Sequence, residues 1–321
     1  MQLDIYSVKS SDWRQMRRFA ISRVQDPGAG GAKMAKAAKK SQPRIVKTVK
    51  TLREVLADWR KRKADIALVP TMGALHAGHV SLVALAKKSA KKVVVSIFVN
   101  PTQFGPNEDF SRYPRTIEAD LDKLADAGAD LVFMPDAKEI YPDGFATMLK
   151  PAGPAAVGLD DKFRPGHFEG VATVVAKLFT SVMPDIAIFG DKDYQQLQVI
   201  RTMARDLHLP VKVVGAPIIR EKDGLALSSR NVYLSPPERA AAPVLHQVLK
   251  ESAKAIAGGG HPEAVLSRGR AKIMSAGFKL DYLEARDAAT LAKPDPQRKA
   301  KLRLLVAAKI GKTRLIDNIA V

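Results

Sequence analysis

Two histidines, His76 and His79, follow an apolar run and stand three residues apart in the segment Pro-Thr-Met-Gly-Ala-Leu-His-Ala-Gly-His. Side chains with this spacing at a helix entrance lie on one face, so both rings can point at one small volume. The free N–H groups and positive dipole end of such a helix attract anions, and Gly73 and Gly78 let backbone approach a phosphate closely. The pair is therefore suited to donating hydrogen bonds to a phosphate that gains charge in a transition state.

Two alternatives stand beside this interpretation of the pair. The histidines are capping or surface residues, or they bind a metal ion. A metal site of this kind recruits a third histidine or a carboxylate nearby, and none is obvious in this turn. The order of strand, glycine turn and helix favours phosphate chemistry over both alternatives.

A second polar turn follows the apolar residues 186–189. Lys192 in this turn is a point charge suited to a phosphate, and Asp193 can hold that lysine or a ribose hydroxyl. Gln195 and Gln196 offer amide donors and acceptors to a polar substrate. Taken alone, the segment is equally compatible with a nucleotide site and with a solvated loop.

Two further segments carry polar groups that indicate a binding site less strongly. Asn100 directly follows the largely apolar residues 93–99, and Gln103 comes three residues later, at the same strand-end face as the histidines. Two serines and an arginine at 228–230 form a phosphate-donor set, and the Asp-Gly pair before them predicts a mobile loop. A plain structural turn is the alternative for each segment.

The elements that must position these groups alternate between strand and helix. The periodicity predicts helices at 48–63, 79–92, 117–127, 170–181 and 195–207, and strands at 66–69, 93–99, 131–134, 186–189 and 211–214. This alternation implies βαβ units and an α/β fold with a parallel, doubly wound sheet. Such sheets bind ligands beyond the carboxyl ends of their strands, where the polar turns lie.

The chain divides into three predicted regions. Residues 1–44 carry ten basic and three acidic residues, and 25–42 are rich in Gly, Ala and Lys, which predicts a flexible extension. Residues 45–220 form the predicted parallel-sheet domain. In residues 221–321 the pattern changes to helices at 236–258 and 262–276 and strands at 280–285 and 302–310, which predicts a smaller α+β domain.

Composition narrows the classes of function. The 321 residues include no cysteine, which excludes disulfides and thiolate chemistry and fits a reducing cytoplasm. No apolar stretch reaches the length of about 18 residues expected of a membrane span. The net charge of +19 attracts anions in general. The basic residues form no aromatic-interleaved or zinc-finger pattern, so we expect no nucleic-acid partner.

Together the segments resemble one family, pantothenate synthetase, also called pantoate–β-alanine ligase, of the nucleotidylyltransferase superfamily. The resemblance spans residues 45–321. Its motifs, in family order, are 70–79, Phe-Val-Asn-Pro-Thr-Gln-Phe at 98–104, Tyr-Pro-Arg-Thr at 113–116, Arg-Pro-Gly-His-Phe at 164–168, Gly-Asp-Lys-Asp-Tyr-Gln-Gln at 190–196, Leu-Ser-Ser-Arg-Asn at 227–231 and Thr-Arg-Leu-Ile-Asp-Asn at 313–318.

The resemblance implies a Rossmann-like domain with a C-terminal lid and a two-step ligase reaction. Pantoate attacks the α-phosphate of ATP to give pantoyl adenylate and pyrophosphate, and the amine of β-alanine then displaces AMP to form pantothenate. Small molecules are thus the expected partners. The family is usually dimeric, so a cytoplasmic homodimer with no membrane partner is expected.

The resemblance also implies residue roles. His79 is the expected catalytic residue, and the expected ATP site comprises Met72, Gly73, Ala74, Leu75, His76, Ala77, Gly78, His79, Gly190, Asp191, Lys192, Asp193, Ile219, Leu227, Ser228, Ser229 and Arg230. Asn100, Gln103 and Gln196 are expected to bind pantoate or β-alanine. Mg²⁺ is expected to be held mostly by phosphate oxygens and water, with Asp120 as the one candidate protein ligand. Asp191 stands where the family usually has Glu, which is tolerated if its side chain faces solvent.

Three rivals remain. Other nucleotidylyltransferases share the His-x-x-His turn but are not expected to carry the Asn-Pro-Thr-Gln-Phe and Asp-Tyr-Gln-Gln segments. A class I tRNA synthetase would leave little of this chain for tRNA recognition. A basic nucleic-acid-binding module belongs to a different class of function, and binding by the folded body in a salt titration would support it.

Overall fold

A computed structural model describes residues 42–106, 108–295 and 301–321. Gln42–Val321 form one compact unit. The extension was predicted at residues 1–44, and its first 41 residues lie outside the described residues. Arg44, the last residue of the predicted extension, is the first residue of strand β1. No helix in the described ranges is long and apolar enough to cross a membrane.

The larger sheet has six parallel strands. They are β1 (Arg44–Val46), β2 (Ile66–Thr71), β3 (Lys92–Ile97), β4 (Leu131–Phe133), β5 (Ile186–Gly190) and β6 (Lys212–Ala216). Their order across the sheet is β1-β4-β3-β2-β5-β6. The predicted doubly wound parallel sheet is confirmed.

Helices cover this sheet and connect its strands. They are α1 (Val49–Lys61), α2 (Ala77–Ser89), α3 (Ile117–Ala127), α4 (Ala137–Ile140), α5 (Asp160–Phe163), α6 (His167–Val182) and α7 (Tyr194–Asp206). Apolar side chains such as Leu52, Leu68, Phe133 and Leu178 form the core between helices and sheet. The central strands β2 to β5 are largely apolar on both faces because helices bury both faces of this part of the sheet.

The strand order has one reversal point that locates the site. From β2 the chain builds outward through β3 and β4, and it then returns to place β5 on the other side of β2. In open α/β sheets ligands bind at such a point, beyond the carboxyl ends of the strands. The two polar turns that follow β2 and β5 therefore lie side by side.

The C-terminal part has three helices and a small sheet. The helices are α8 (Pro236–Ala241), α9 (Val244–Ala257) and α10 (Pro262–Ser275), and the antiparallel strands are β7 (Lys279–Asp287), β8 (Leu302–Ile310) and β9 (Thr313–Ala320). A second apolar core, including Leu249, Ile273 and Val306, lies between them. The predicted division into domains at residue 220 stays a prediction, with each sheet on its own side of that position.

Some predicted boundaries are wrong for local reasons. The helix predicted at 236–258 is two helices, because Pro243 has no N–H to donate and disfavours helical backbone before it. The helix predicted to begin at His79 begins at Ala77. Strand β9 was not predicted as a strand, because the buried polar residues Asp317 and Asn318 interrupt the apolar alternation.

Candidate active site

The two histidines form the N-terminal cap of α2. His76 is the N-cap residue, and its Nδ1 accepts a hydrogen bond from the Gly78 backbone N–H at 3.1 Å. The Nδ1 of His79 accepts the His76 backbone N–H at 3.3 Å. This reciprocal arrangement satisfies backbone donors that the first turn of a helix leaves free. The two ring centroids are 4.1 Å apart, so the predicted convergence of the rings is present.

The capping bonds determine which ring nitrogen carries the proton. Each Nδ1 accepts a backbone N–H, so in the neutral ring the proton resides on Nε2. Burial, with the neighbouring His79 and Lys192 charges, lowers the pKa of His76 to about 3. Burial and Lys192 lower the pKa of His79 to about 4. At neutral pH both rings are therefore uncharged Nε2–H donors.

We expect the free energy of unfolding to fall as the pH drops from 6.5 toward 4. Burial and the Arg164 charge also lower the pKa of His167 to about 4. A histidine whose pKa is lowered by folding stabilises the protein fully above its unfolded pKa of about 6.5 and loses that contribution as pH falls through its folded pKa. Each such histidine contributes a slope of about 1.4 kcal/mol per pH unit within this window.

Urea unfolding at pH 7, 6 and 5 measures this slope. The substitution His79→Gln removes one titrating group. It is expected to make the pH dependence of the unfolding free energy shallower by the slope that one histidine contributes, about 1.4 kcal/mol per pH unit. Equal stability of the parent protein at pH 7 and pH 5 would contradict the assigned pKa directions.

The turn after β5 presents Lys192 to the same space. Within the described part of the chain its ammonium forms no hydrogen bond or ion pair, and its charge lowers the pKa values of both histidines. The turn is held from the C-terminal sheet, because the buried Asn318 Nδ2 donates to the carbonyls of Asp191 and Lys192, both at 2.9 Å. Asn318 thus positions the lysine, a role that its place 126 residues away in sequence concealed.

A cavity of about 220 Å³ lies where these turns meet. Of the predicted site residues it is lined by Met72, His76, Gly78, His79, Asn100, Gln103, Gly190, Lys192, Asp193, Gln196, Ile219, Leu227, Ser228, Ser229 and Arg230. Tyr113 also lines it, and its motif at 113–116 was noted in the sequence without a role for this ring. The four polar segments identified in the sequence therefore converge on one space.

Five predicted ATP-site residues do not line this cavity. They are Gly73, Ala74, Leu75, Ala77 and Asp191. The first four belong to the turn and first helical residue that carry the histidines. The carboxyl group of Asp191 packs over Gly215, where a Cβ would collide with it, and burial raises its pKa. Asp191 is therefore partly buried, so the condition under which Asp in place of Glu was expected to be tolerated, a solvent-facing side chain, is not met.

Asn100 and Gln103 form one hydrogen-bonded unit at the end of β3. The Asn100 Oδ1 accepts from the Thr102 side chain at 3.0 Å and from the Tyr141 hydroxyl at 2.8 Å, and its Nδ2 donates to Gly170 O at 3.2 Å and Gln103 Oε1 at 3.1 Å. The Gln103 Nε2 points to Met72 Sδ at 3.2 Å, inside the cavity. The amide of Asn100 is engaged by the protein, whereas that of Gln103 keeps a weakly held donor.

The two adjacent glutamines of α7 have different surroundings. Gln195 is buried, with its Oε1 accepting Asp160 N–H at 2.9 Å and its Nε2 donating to Pro154 O at 2.9 Å. Gln196 lines the cavity. Only Gln196 is therefore placed to meet a substrate, and the idea that Gln195 also does so is wrong.

Asp109 holds the serine–arginine loop, and the neighbouring Glu108 pairs with a different arginine. Arg230 pairs with both oxygens of Asp109 at 2.9 and 2.7 Å, and Arg164 pairs with both oxygens of Glu108 at 2.7 Å each. Ser229 Oγ donates to Ala74 O at 3.0 Å. Sequence reasoning missed Glu108 and Asp109, because nothing local indicates which distant arginines they meet.

Asp120, the candidate metal ligand, is already committed to protein contacts. Its Oδ2 accepts the Ala74 N–H and its Oδ1 the Leu75 N–H, both at 2.8 Å. No group of three or more His, Asp or Glu residues able to hold a metal ion occurs in the described ranges. Because both of its carboxylate oxygens accept backbone N–H groups, Asp120 does not fit the role of a metal ligand. No observation in the described ranges supports metal binding by His76 and His79.

Comparison with known proteins identifies the family. Residues 44–320 match the family Pantoate-beta-alanine ligase. The pantothenate synthetase of Rhodopseudomonas palustris (strain HaA2) is 59% identical over 279 residues, which cover 87% of this chain and 99% of the relative. The chain belongs to the pantoate–β-alanine ligase family.

Solved structures of the family agree with this fold. The pantothenate synthetase of Thermus thermophilus superimposes with a TM-score of 0.81 at 48% identity, covering 86% of this chain and 98% of that one. The pantoate–β-alanine ligase of Francisella tularensis, solved in complex with β-γ ATP and β-alanine, gives 0.73 at 36% identity, covering 87% and 97%. The predicted family and fold are confirmed, and the chain is a ligase.

Proposed function

We propose that this cavity carries out the ATP-dependent condensation of pantoate with β-alanine through pantoyl adenylate. A carboxylate oxygen of pantoate attacks the α-phosphorus of ATP, and the bond from that phosphorus to the bridging oxygen breaks to release pyrophosphate. The β-alanine amine then attacks the acyl carbon, the acyl C–O bond breaks, AMP leaves and the amine loses a proton. The observation that carries the proposal is the pair of neutral Nε2–H donors beside Lys192, which has no ion-pair partner among the described residues, at the reversal point of the sheet.

The phosphate side of the cavity supplies electrostatic stabilisation. We assign His79 as the catalytic residue and His76 as its phosphate-binding partner. Neutral donors fixed by backbone caps need no reorganisation when charge develops on the phosphate. Lys192 adds the full positive charge that two uncharged rings do not provide.

The acid side of the cavity selects pantoate. Gln103 and Gln196 lie at the ends of β3 and β5, so their amides meet a polar substrate from two sides. Asn100 acts through Gln103, because its Nδ2 holds the Gln103 Oε1 and leaves the Nε2 donor toward the cavity. Pantoate offers hydroxyl and carboxylate oxygens to such donors.

The loop 227–230 closes on the nucleotide by exchanging partners. Arg230 is held by Asp109 in this structure, and a polyphosphate competes for the same planar guanidinium. We propose that Arg230 and the two serines bind the pyrophosphate portion of ATP and that Asp109 holds the arginine between turnovers. Ile219 and Gly190–Asp193 would then contact the rest of the nucleotide.

Mg²⁺ is proposed as the metal that accompanies ATP. The described residues offer no carboxylate cluster for it, so phosphate oxygens and water would supply most of its ligands, as is usual for this ion. It neutralises phosphate charge when bound. The activity is expected to require added Mg²⁺ and to be lost with excess chelator.

The test of the function is pyrophosphate release from ATP with pantoate alone, followed by AMP and pantothenate once β-alanine is added. Pyrophosphate release with other acids but not with pantoate would overturn the substrate assignment. Transfer of the adenylyl group to a nucleotide or phosphate acceptor instead would favour another nucleotidylyltransferase.

We propose a cytoplasmic homodimer without a nucleic-acid or membrane partner. The resemblance to a usually dimeric family and the lack of cysteine support this assignment. Light scattering of the purified full chain measures its mass in solution, and a monomer at micromolar concentration would contradict the dimer.

Deleting residues 1–41 is expected to leave the kinetic parameters within about twofold of the full chain, since the family match covers residues 44–320 and does not include this segment. The cut spares Pro43, which is buried, and Gln42, whose Nε2 donates to Asp122 at 3.0 Å. A large loss of activity in steady-state assays would show that the segment belongs to the catalytic fold.

A further inference from the structure

The turn that carries the histidines has an unfavourable backbone conformation. Gly73 and Ala74 have φ values of +82° and +50° in succession. Glycine adopts this left-handed region freely, but an alanine does so at a cost in free energy. The conformation persists only where surrounding contacts hold it.

Helix α3 supplies those contacts. Asp120 is 1% exposed, and its two carboxylate oxygens accept the N–H groups of Ala74 and Leu75, both at 2.8 Å. Lys123, one turn further along the same helix, donates from Nζ to the Leu75 carbonyl at 2.7 Å. Thr116 Oγ1 donates to Asp120 Oδ1 at 3.2 Å, which fixes the carboxylate in turn.

The same turn connects the two phosphate-binding segments. Leu75 directly precedes His76, so the position of its N–H determines where the capping histidines begin. The Ala74 carbonyl accepts the Ser229 hydroxyl at 3.0 Å. A displacement of Ala74 would therefore move the histidine pair and the serine–arginine loop together.

We propose that Asp120 is the positioning residue of the phosphate site, holding the left-handed turn so that both imidazoles and Ser229 keep their geometry. Both of its carboxylate oxygens accept backbone N–H groups, so it acts through the backbone of Ala74 and Leu75. This inference rests on the proposed function. Asparagine in its place has one oxygen and one NH₂ group, so at least one backbone N–H would face another donor.

The test compares Asp120→Asn with two control variants on α3. Leu124→Ala removes a fully buried side chain of the same helix and lowers thermal stability while keeping the Asp120 and Lys123 hydrogen bonds to the turn. Glu118→Gln removes one negative charge from the exposed face of the first turn. For each variant we would measure the melting temperature, pantoate-dependent pyrophosphate release at saturating ATP, and calorimetric binding of a non-hydrolysable ATP analogue.

We expect Asp120→Asn to lower kcat for pyrophosphate release by about 10- to 100-fold, the scale of a misplacement near 1 Å. The KM for pantoate is expected to change less than threefold, and analogue binding to weaken about tenfold. Both controls are expected to keep kcat within threefold, although Leu124→Ala melts at a lower temperature.

Two results would overturn the inference. One is a kcat within threefold of the parent together with unchanged analogue binding in Asp120→Asn. The other is a loss in Leu124→Ala as large as that in Asp120→Asn, which would assign the effect to stability alone. Analogue binding decides the matter even if pantoate proves not to be the substrate, because that failure appears in the parent protein.

Discussion

Replacing His79 with alanine is expected to lower the rate of pantoyl-adenylate formation by about 10²- to 10³-fold, the scale of losing one transition-state hydrogen-bond donor. The Nδ1 of this ring accepts the His76 N–H, so its Nε2–H is the donor that faces the cavity. Substrate affinity is expected to change less than the rate, because the donor meets its strongest partner when charge develops on the phosphate. Single-turnover pyrophosphate release measures the effect.

The same substitution also removes a hydrogen bond from the first turn of α2, so a control for the loss of a hydrogen bond in this turn is needed. Ser81→Ala serves, since Ser81 Oγ donates to Gly78 O at 2.7 Å in the same first turn. We expect it to retain adenylation within about threefold, as one lost neutral hydrogen bond away from the reacting phosphate costs about 1 kcal/mol of stability and no transition-state contact. Near-normal adenylation by His79→Ala would reject the catalytic role.

The pH dependence of the parent enzyme gives an independent check on the protonation state of His79. With the pKa of this ring lowered to about 4, the neutral donor is present throughout the range from pH 6 to 8. The adenylation rate is therefore expected to show no step near pH 6.5 from this residue. A step there that disappears in His79→Ala would mean that the charged ring is the active form.

Replacing Lys192 with methionine is expected to lower the adenylation rate by about 10³-fold, within the range for removing a cation from a transferring phosphoryl group. Methionine keeps much of the side-chain stem and removes only the ammonium. In the described part of the chain that ammonium has no paired carboxylate, so no buried acid is left uncompensated. The loss is thus expected to appear in the rate and not in the melting temperature.

The lysine substitution has a second readout that does not depend on activity. The Lys192 charge lowers the pKa values of both capping histidines, so both pKa values are expected to rise in Lys192→Met, as followed by NMR. Lys88→Met, an exposed position on α2, removes the same charge and is expected to change neither the rate nor the histidines. An unaltered rate in Lys192→Met would remove the lysine from the phosphate site.

The Asn318 contact explains why a motif at the end of the chain accompanies a site in the first sheet. Its amide holds the turn that carries Lys192, and the neighbouring Asp317 pairs with Arg220 at 2.6 and 2.8 Å, next to Ile219. The motif at 313–318 was recognised in the sequence without a role. Its function depends on long-range contacts that no spacing rule encodes.

Local pattern determined most of the longer elements of this protein and the kind of chemistry at its strand ends. Helix 117–127 and strand 302–310 were predicted at their observed bounds, because periodicity and end signals are properties of neighbouring residues. The His-x-x-His turn after an apolar strand indicated a phosphate site for the same reason. The resemblance of the chain to a ligase family followed from several such segments, which occur in the same order along the sequence as in the family.

Tertiary structure alone decided which of these segments meet and what each polar side chain is free to do. The order β1-β4-β3-β2-β5-β6 brings the turns after β2 and β5 together, and strand order depends on packing between distant elements. Gln195 and Gln196 are adjacent in sequence, yet one is buried in protein hydrogen bonds and the other lines the cavity. Asp120 is likewise a possible metal ligand by residue type, and only its 2.8 Å bonds to the Ala74 and Leu75 N–H groups give it a different role. A side chain's chemistry is available to a substrate only where the fold has not already used its donors and acceptors.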